Sequence, residues 1–147
     1  MHVLLIEDDA RQAALLAGLL VAHDVEIAGT LRAAVELLRT DTWDAVVLDL
    51  GLPDSDGVQS VEVVAHAAPG TALIVYTGED DDDVLRACLD AGADDVVGKP
   101  ARAGALTHAL TVAERQRQRV HRRGVACVVA AELTFATALG LPYAAAG

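Results

Sequence analysis

The chain has 147 residues, of which 53% are hydrophobic and only 3% aromatic, and its formal net charge is -11. This length suits one domain with an appendage, and the apolar content excludes a largely disordered protein. The charge is uneven, because residues 1–100 carry 20 acidic side chains against 5 Lys or Arg, whereas residues 101–147 carry 2 against 6. The acidic body argues against nucleic-acid binding, since it offers no basic face to displace counterions.

The cysteines and the N-terminus indicate the compartment. Cys88 and Cys127 lack the spacing of a metal knuckle or a redox pair, and no signal peptide precedes the first apolar run. We therefore expect a cytoplasmic protein. The five histidines are scattered without ligand spacing, and we expect them at the surface or at its boundary.

Short apolar runs alternate with helical periodicities along the chain. Strands are predicted at residues 2–6, 25–28, 45–48, 72–76 and 95–98. The first helix has Leu15, Leu16, Leu19 and Leu20 as its apolar face. The second begins at an N-cap, Thr30, and Asp56 with Gln59 is compatible with a capping box for the third. A fourth helix is expected at 84–91, and a fifth with Leu106, Ala109, Leu110 and Ala113 on one face.

This alternation predicts an α/β fold, a doubly wound five-stranded parallel sheet with helices on both faces. Right-handed crossovers place the carboxyl ends of all strands at one edge. The strand order 2-1-3-4-5 sets the ends of the first and third strands side by side, where ligands bind in such sheets.

Six residues with reactive or ligating side chains follow these strand ends. They are Glu7, Asp8 and Asp9 after the first strand, Asp49 after the third, Thr77 after the fourth and Lys99 after the fifth. Helix capping can explain Asp9, but three acids directly after a buried strand exceed what a cap requires. The acidic run 79–83 is instead expected to be a solvated loop and the first turn of a helix rather than a metal site.

Carboxylates gathered this closely repel one another unless a cation neutralises them. Oxygen ligands with room for water suit Mg²⁺, or Mn²⁺, and the natural substrate of such a site is a phosphoryl group. Mg²⁺, Lys99 and the Thr77 hydroxyl can each contact one phosphoryl oxygen. We expect Asp49 to be the in-line nucleophile, forming an aspartyl phosphate.

Four segments in order, VLLIEDD, WDAVVLDLGLPDSDG, LIVYTG and GADDVVGKP, resemble the receiver domains of bacterial two-component response regulators, whose fold is flavodoxin-like. The resemblance implies that Asp49 accepts a phosphoryl group from a sensor histidine kinase or a phosphotransfer protein. It also implies metal ligation by Asp8 directly, by Glu7 mainly through water, by Asp49 and by the backbone carbonyl of Gly51. Asp9 falls one position beyond the usual acidic pair and ranks below these.

The same resemblance implies that Lys99 pairs with phosphoryl oxygens and is joined to Pro100 by a cis peptide bond. Thr77 is then the switch hydroxyl. The chain departs from the family at Val96, where Tyr or Phe is usual, and at Ala101, which is often Phe. These changes bear on how phosphorylation is reported rather than on the chemistry.

We expect a receiver domain over residues 1–119 and an apolar, helical tail over 120–147 without an effector domain. The basic cluster (Arg115, Arg117, Arg119, Arg122 and Arg123) suits the solvated end of the last helix better than a nucleic-acid site. Glu132 disfavours a membrane span through the apolar run that follows. A helix packed on the domain or on a second copy, giving a homodimer, is the expected alternative.

The expected function is a signalling module that catalyses only its own phosphorylation and dephosphorylation, with an unknown downstream protein as its partner. One alternative is a receiver fragment of a larger regulator whose effector domain is missing. A metal-dependent aspartyl phosphohydrolase is weaker, because haloacid-dehalogenase-type phosphatases carry an Asp two residues after the nucleophile, where this chain has Gly51.

Overall fold

The computed structural model of the protein describes residues 1–100 and 104–120. In chain order the elements are β1 (His2–Ile6), α1 (Ala10–Leu19), β2 (Asp24–Ala28), α2 (Leu31–Thr40), β3 (Ala45–Leu48), α3 (Val58–Ala67), β4 (Ala72–Thr77), α4 (Asp82–Asp90) and β5 (Asp95–Gly98). A fifth helix, α5, covers residues 105–120. The departure noted at Ala101 and nearly all of the predicted tail, 120–147, lie outside the described residues.

The chain divides into two compact units, Met1–Glu114 and Arg115–Gly147. The first contains all five strands, and residues 115–120 of the second are helical. Among the described residues, no helix combines the length and the apolar character that crossing a membrane requires.

The five strands form one parallel sheet in the order β2-β1-β3-β4-β5, which confirms the predicted doubly wound, flavodoxin-like architecture. In this order β1 and β3 are neighbours although α1, β2 and α2 separate them in the chain. Ile6 lies opposite Leu48, and Thr77 lies opposite Gly98. The residues that follow these pairs therefore emerge together at the carboxyl edge of the sheet.

Each face of the sheet carries its own apolar core, because successive side chains along a strand point to opposite faces. One core joins strand residues such as Leu4 and Val46 to α2, α3 and α4. The other joins Val3 and Val47 to α1 and α5. The predicted apolar face of α5 is confirmed by the burial of Leu106, Ala109, Leu110 and Ala113.

The predicted apolar face of α1 is only half right. Leu16 is buried in the helix and Leu20 at its C-cap, but Leu15 and Leu19 are 63% and 38% exposed. The buried stripe runs through Ala13, Leu16 and Leu20, spaced three and four residues apart. Because the four leucines come in adjacent pairs, their spacing is compatible with either of two neighbouring stripes facing the sheet. The stripe that is buried is the one that contains the small Ala13.

The start of α3 also differs from the prediction, because no side chain caps this helix. Gly57 occupies the N-cap position with a φ of 49°, a left-handed conformation that favours glycine. Asp56 instead accepts a hydrogen bond through its backbone carbonyl from the Gln59 N–H (3.1 Å). The capping box is therefore wrong, whereas the predicted N-cap of α2 is confirmed by the bond from the Ala33 N–H to Thr30.

The helix α4 begins two residues earlier than predicted. Its N-cap is Asp81, whose carboxylate accepts from the Asp83 N–H (2.8 Å). The acidic run 79–83 thus forms an exposed loop and the first helical turn, as expected.

At the opposite, amino-terminal edge of the sheet, the His2 ring stacks on Trp43 with 4.0 Å between ring centroids. The indole N–H of Trp43 donates to the Leu37 carbonyl (3.2 Å). The buried tryptophan therefore closes the core between β3 and the end of α2.

Candidate functional site

Two carboxylates lie side by side at the carboxyl edge because the backbone places them there. The Glu7 N–H donates to the Ala28 carbonyl (3.0 Å), and the Asp49 N–H donates to the Ile6 carbonyl (2.9 Å). Each residue thus continues the hydrogen-bond ladder of the strand before it. Both are buried, so the fold holds two acidic groups in a position that water reaches poorly.

Lys99 joins these carboxylates. Its ammonium Nζ lies 3.1 Å from Glu7 Oε2 and 3.0 Å from Asp49 Oδ1. Its backbone N–H donates to the Thr77 carbonyl (2.7 Å), and its peptide bond to Pro100 is cis, as expected. Lys99 comes 92 residues after Glu7, so only the folded sheet brings the three groups together.

The lysine stays charged in this position. Burial lowers the pKa of its ammonium, but the hydrogen bonds to Asp49 and Glu7 and the negative charges of these two groups together raise that pKa above its ordinary value. The ammonium also lies 5.1 Å from the centroid of the Tyr76 ring, within the range of a cation–π contact.

The contact with Tyr76 was missed by sequence reasoning. Tyr76 is buried in the core that faces α1 and α5, one residue before Thr77. The strand register could have indicated this contact. Because Leu48 pairs with Val75, the residues that follow them, Asp49 and Tyr76, also lie side by side.

Glu7, Asp8 and Asp49 each bring one carboxylate oxygen to within 4.8 Å of the others. One ammonium against three carboxylates leaves two negative charges, which a divalent cation would balance. Both Glu7 oxygens already have partners, Oε1 with the Asp9 N–H (3.1 Å) and Oε2 with Lys99, whereas Asp8 is exposed. This donor set of carboxylate oxygens fits a hard divalent cation.

Gly51 leaves space beside the Asp49 carboxylate. A Cβ at this position would lie 3.3 Å from Asp49 Oδ2, closer than an ordinary contact. Oδ2 is the oxygen that Lys99 does not hold. The glycine therefore keeps one oxygen of Asp49 accessible.

Asp9 differs from Glu7 and Asp8, which precede it, because it caps a helix. It is the N-cap of α1, and its Oδ1 accepts from the N–H groups of Arg11 (2.8 Å) and Gln12 (3.2 Å). The backbone hydrogen bonds from Gln12 and Arg11 lower the pKa of Asp9 below its ordinary value. Capping is thus enough to account for this carboxylate.

Thr77 is buried, and its hydroxyl oxygen accepts a hydrogen bond from the Glu79 N–H (3.1 Å). Thr77 is therefore hydrogen-bonded to Lys99 through backbone groups. Its hydroxyl is bonded to the Glu79 N–H rather than to Asp49. Val96, where an aromatic residue is usual, packs half-buried against the core that faces α2, α3 and α4.

A second contact missed by sequence reasoning lies in the loop between β3 and α3. Asp54 Oδ1 accepts from the Leu31 N–H (2.8 Å), and its Oδ2 accepts from the Arg32 N–H (3.0 Å). In the sequence Asp54 looks like one of several turn-forming residues between Pro53 and Gly57. No local pattern indicates that it reaches α2.

Comparison with known proteins agrees with this geometry. The family model of the response regulator receiver domain matches residues 3–111. The KDP operon transcriptional regulatory protein KdpE of Escherichia coli is 32% identical over 117 residues, which cover 78% of this chain and 52% of that protein. A cyclic di-GMP phosphodiesterase of Thermotoga maritima is 33% identical over 119 residues, or 80% of this chain and 32% of that protein.

The chain thus spans about half or less of these curated relatives. Among solved structures, a response regulator protein from Burkholderia pseudomallei with a phosphorylated aspartic acid, calcium ion and citrate superimposes with a TM-score of 0.70. It is 21% identical, and the match covers 95% of this chain and 92% of that one, which supports the fold. Since the family model covers most of the sequence, this chain belongs to the response regulator receiver domain family.

Proposed function

We propose that Asp49 is the phosphoacceptor of a cytoplasmic signalling module and receives its phosphoryl group from a histidine kinase or a phosphotransfer protein. The observation that carries this proposal is the Lys99 ammonium, bound to Asp49 at 3.0 Å and to Glu7 at 3.1 Å at the carboxyl edge of the sheet. A buried aspartate with one oxygen held by a cation and the other accessible suits in-line attack on phosphorus.

In the transfer, a carboxylate oxygen of Asp49 attacks phosphorus. The new oxygen–phosphorus bond forms as the phosphorus–nitrogen bond of the donor histidine breaks, and the electron pair of that bond returns to the imidazole, which is protonated by solvent. Lys99 neutralises charge on the transferred oxygens. Thr77 keeps its own hydroxyl proton while accepting from Glu79, so it can donate to one of those oxygens.

Asp8, Asp49 and the Gly51 carbonyl would hold Mg²⁺ or Mn²⁺ directly, and Glu7 would hold it through water. A bound divalent cation supplies further charge neutralisation for phosphoryl transfer. The support for this assignment is the charge of the site, where one ammonium faces three carboxylates.

The test is incubation of the full chain with acetyl phosphate and Mg²⁺, followed by intact-protein mass spectrometry. We expect one added phosphoryl group, which is absent in Asp49→Asn and in excess EDTA. Asp90→Asn removes an equal charge from the far end of α4 and should label like the wild type. Label that persists in Asp49→Asn, or that forms equally in EDTA, would overturn the proposal.

The output is proposed to be a phosphorylation-dependent contact with a downstream protein. Because the chain matches only 52% of KdpE, the same chemistry also suits a receiver within a larger regulator. Turnover of a generic phosphatase substrate separates both forms from an aspartyl phosphohydrolase, since a receiver should show almost none.

A further inference from the structure

The loop between β3 and α3 carries Gly51 and is anchored on both sides of it. Leu50 and Leu52 are buried in the core that faces α2, α3 and α4, whereas Gly51 between them is exposed. Further along, the buried Ser60 hydroxyl donates to the Ser55 hydroxyl (2.8 Å). These contacts fix the loop on both sides of Gly51.

Asp54 supplies the anchor that crosses to another element. The N–H groups of Leu31 and Arg32 are the first two of α2, and intrahelical bonding leaves such amides without partners. Asp54 accepts from both, and the Thr30 hydroxyl accepts from the third, that of Ala33. The helix start is therefore capped by two side chains, one of them from a loop 22 residues further along the chain.

The charge of Asp54 suits this place, because a carboxylate at a helix N-terminus is stabilised by the helix dipole. The backbone hydrogen bonds from Arg32 and Leu31 lower the pKa of Asp54 below its ordinary value. The side chain is thus ionised at neutral pH.

We propose that Asp54 is a positioning residue for the divalent cation, which fixes the loop against α2 and so holds the Gly51 carbonyl in its ligating position. Only Leu52 and Pro53 lie between Gly51 and Asp54, and the ring of Pro53 fixes one backbone dihedral of this short connection. The hydrogen bonds that hold Asp54 on α2 therefore restrict the position of the Gly51 carbonyl, three residues earlier in the chain. The inference rests on the proposed function, since it takes the cation site as given.

The experiment is calorimetric titration of Mg²⁺ into the full chain, comparing wild type with Asp54→Ala and Asp54→Asn. We expect the Kd for Mg²⁺ to rise on the order of tenfold in Asp54→Ala, at the low end of what losing an outer-shell partner costs. Asp54→Asn keeps an acceptor oxygen and should recover much of the affinity. Asp56→Ala removes the same charge from the same loop and should bind Mg²⁺ like the wild type.

Labelling with acetyl phosphate over a range of Mg²⁺ concentrations gives a second readout. A positioning role predicts that Asp54→Ala needs more Mg²⁺ for half-maximal labelling but reaches the wild-type rate at saturation. A Kd equal to that of Asp56→Ala, or a lower saturated rate with unchanged affinity, would overturn the inference.

The two proposals fail differently. If the wild type neither binds Mg²⁺ nor is labelled at Asp49, the proposed function falls. If the wild type does both and Asp54→Ala matches it, only the positioning role falls. Should Asp54→Ala not fold, as judged by circular dichroism, the comparison of Asp54→Ser with Asp56→Ser decides by the same Kd criterion, because serine offers one oxygen on a shorter side chain in place of the two carboxylate oxygens that bind α2.

Discussion

The Lys99 ammonium separates two carboxylates whose side chains are only 1% and 11% exposed, those of Glu7 and Asp49. Neither carboxylate can be fully solvated where it stands, and each repels the other. The lysine is therefore expected to stabilise the fold, in addition to the role proposed for it in phosphoryl transfer.

Lys99→Met removes this charge and keeps an apolar stem of similar length. Because two buried carboxylates lose their partner, we expect the free energy of unfolding at neutral pH to fall by on the order of 3 kcal/mol. Urea denaturation with Mg²⁺ absent measures the loss, and saturating Mg²⁺ should restore part of it by supplying a replacement cation.

The control for this prediction is a double-mutant cycle with Asp49→Asn. Once Asp49→Asn has removed one of the two carboxylates, Lys99→Met should lower the free energy of unfolding by less. The losses from the two substitutions should therefore not be additive. Strictly additive losses would show that the ion pair is not the source of the effect.

The positions of the site residues could be predicted because each one directly follows an apolar run. Glu7, Asp49 and Lys99 reach one edge as soon as the strands are parallel and correctly ordered. The contact of Asp54 with α2 could not be predicted in this way. It joins residues more than 20 positions apart, and its formation depends on a side-chain direction that only the packed structure sets. Tyr76 is different, because the strand register places it beside Asp49 once β3 and β4 are paired.

At the scale of elements, two glycines at helices α1 and α4 differ in backbone conformation and in the space around them. Gly92 follows α4 with a φ of +116°, and a Cβ there would lie 3.0 Å from the Ala65 side chain. Gly18 lies within α1 and has open space around it. The same substitution should therefore have opposite effects at the two sites.

We expect Gly92→Ala to lower the free energy of unfolding by roughly 1–2 kcal/mol, the cost of a left-handed backbone for a residue with a Cβ. Gly18→Ala should raise it by about 0.5–1 kcal/mol, because glycine loses more backbone entropy in a helix than alanine does. Denaturation midpoints with unchanged m-values measure both, and a shift of the same sign in both variants would contradict the assignment.

Element boundaries were predictable where a sharp breaker follows a sharp apolar run. The bounds of β3 and β5 agree residue for residue, since Asp49 with the Gly51 loop ends one and Lys99 with Pro100 ends the other. Helix faces were less predictable. In α1 the paired leucines did not indicate which side of the helix faces the core. At α3 the N-cap is Gly57 with a positive φ, instead of the expected side-chain cap.

At the scale of the whole molecule, the described residues of both cores all lie within the first unit. The last residue of either core cluster among the described residues is Ala113. A chain ending at residue 119 therefore keeps every described core contact and is expected to fold.

This permits a test of the predicted homodimer, which is proposed to form through α5 and the apolar tail. We expect the full chain to sediment as a dimer and the chain ending at residue 119 as a monomer, because the apolar run in 120–147 needs a partner surface. Sedimentation velocity of both at equal concentration decides, and equal monomeric masses would count against the tail.

The stacked pair of His2 and Trp43 has a consequence for optical measurements. Trp43 is the only tryptophan in the chain, and Asp49 lies six positions after it at the other end of β3, about 20 Å away if the backbone is extended. Its indole is buried against α2 at the amino-terminal edge, so its emission responds to loss of the core. Intrinsic fluorescence is thus a probe of unfolding, and the phosphorylation proposed at the other edge of the sheet is followed separately by mass.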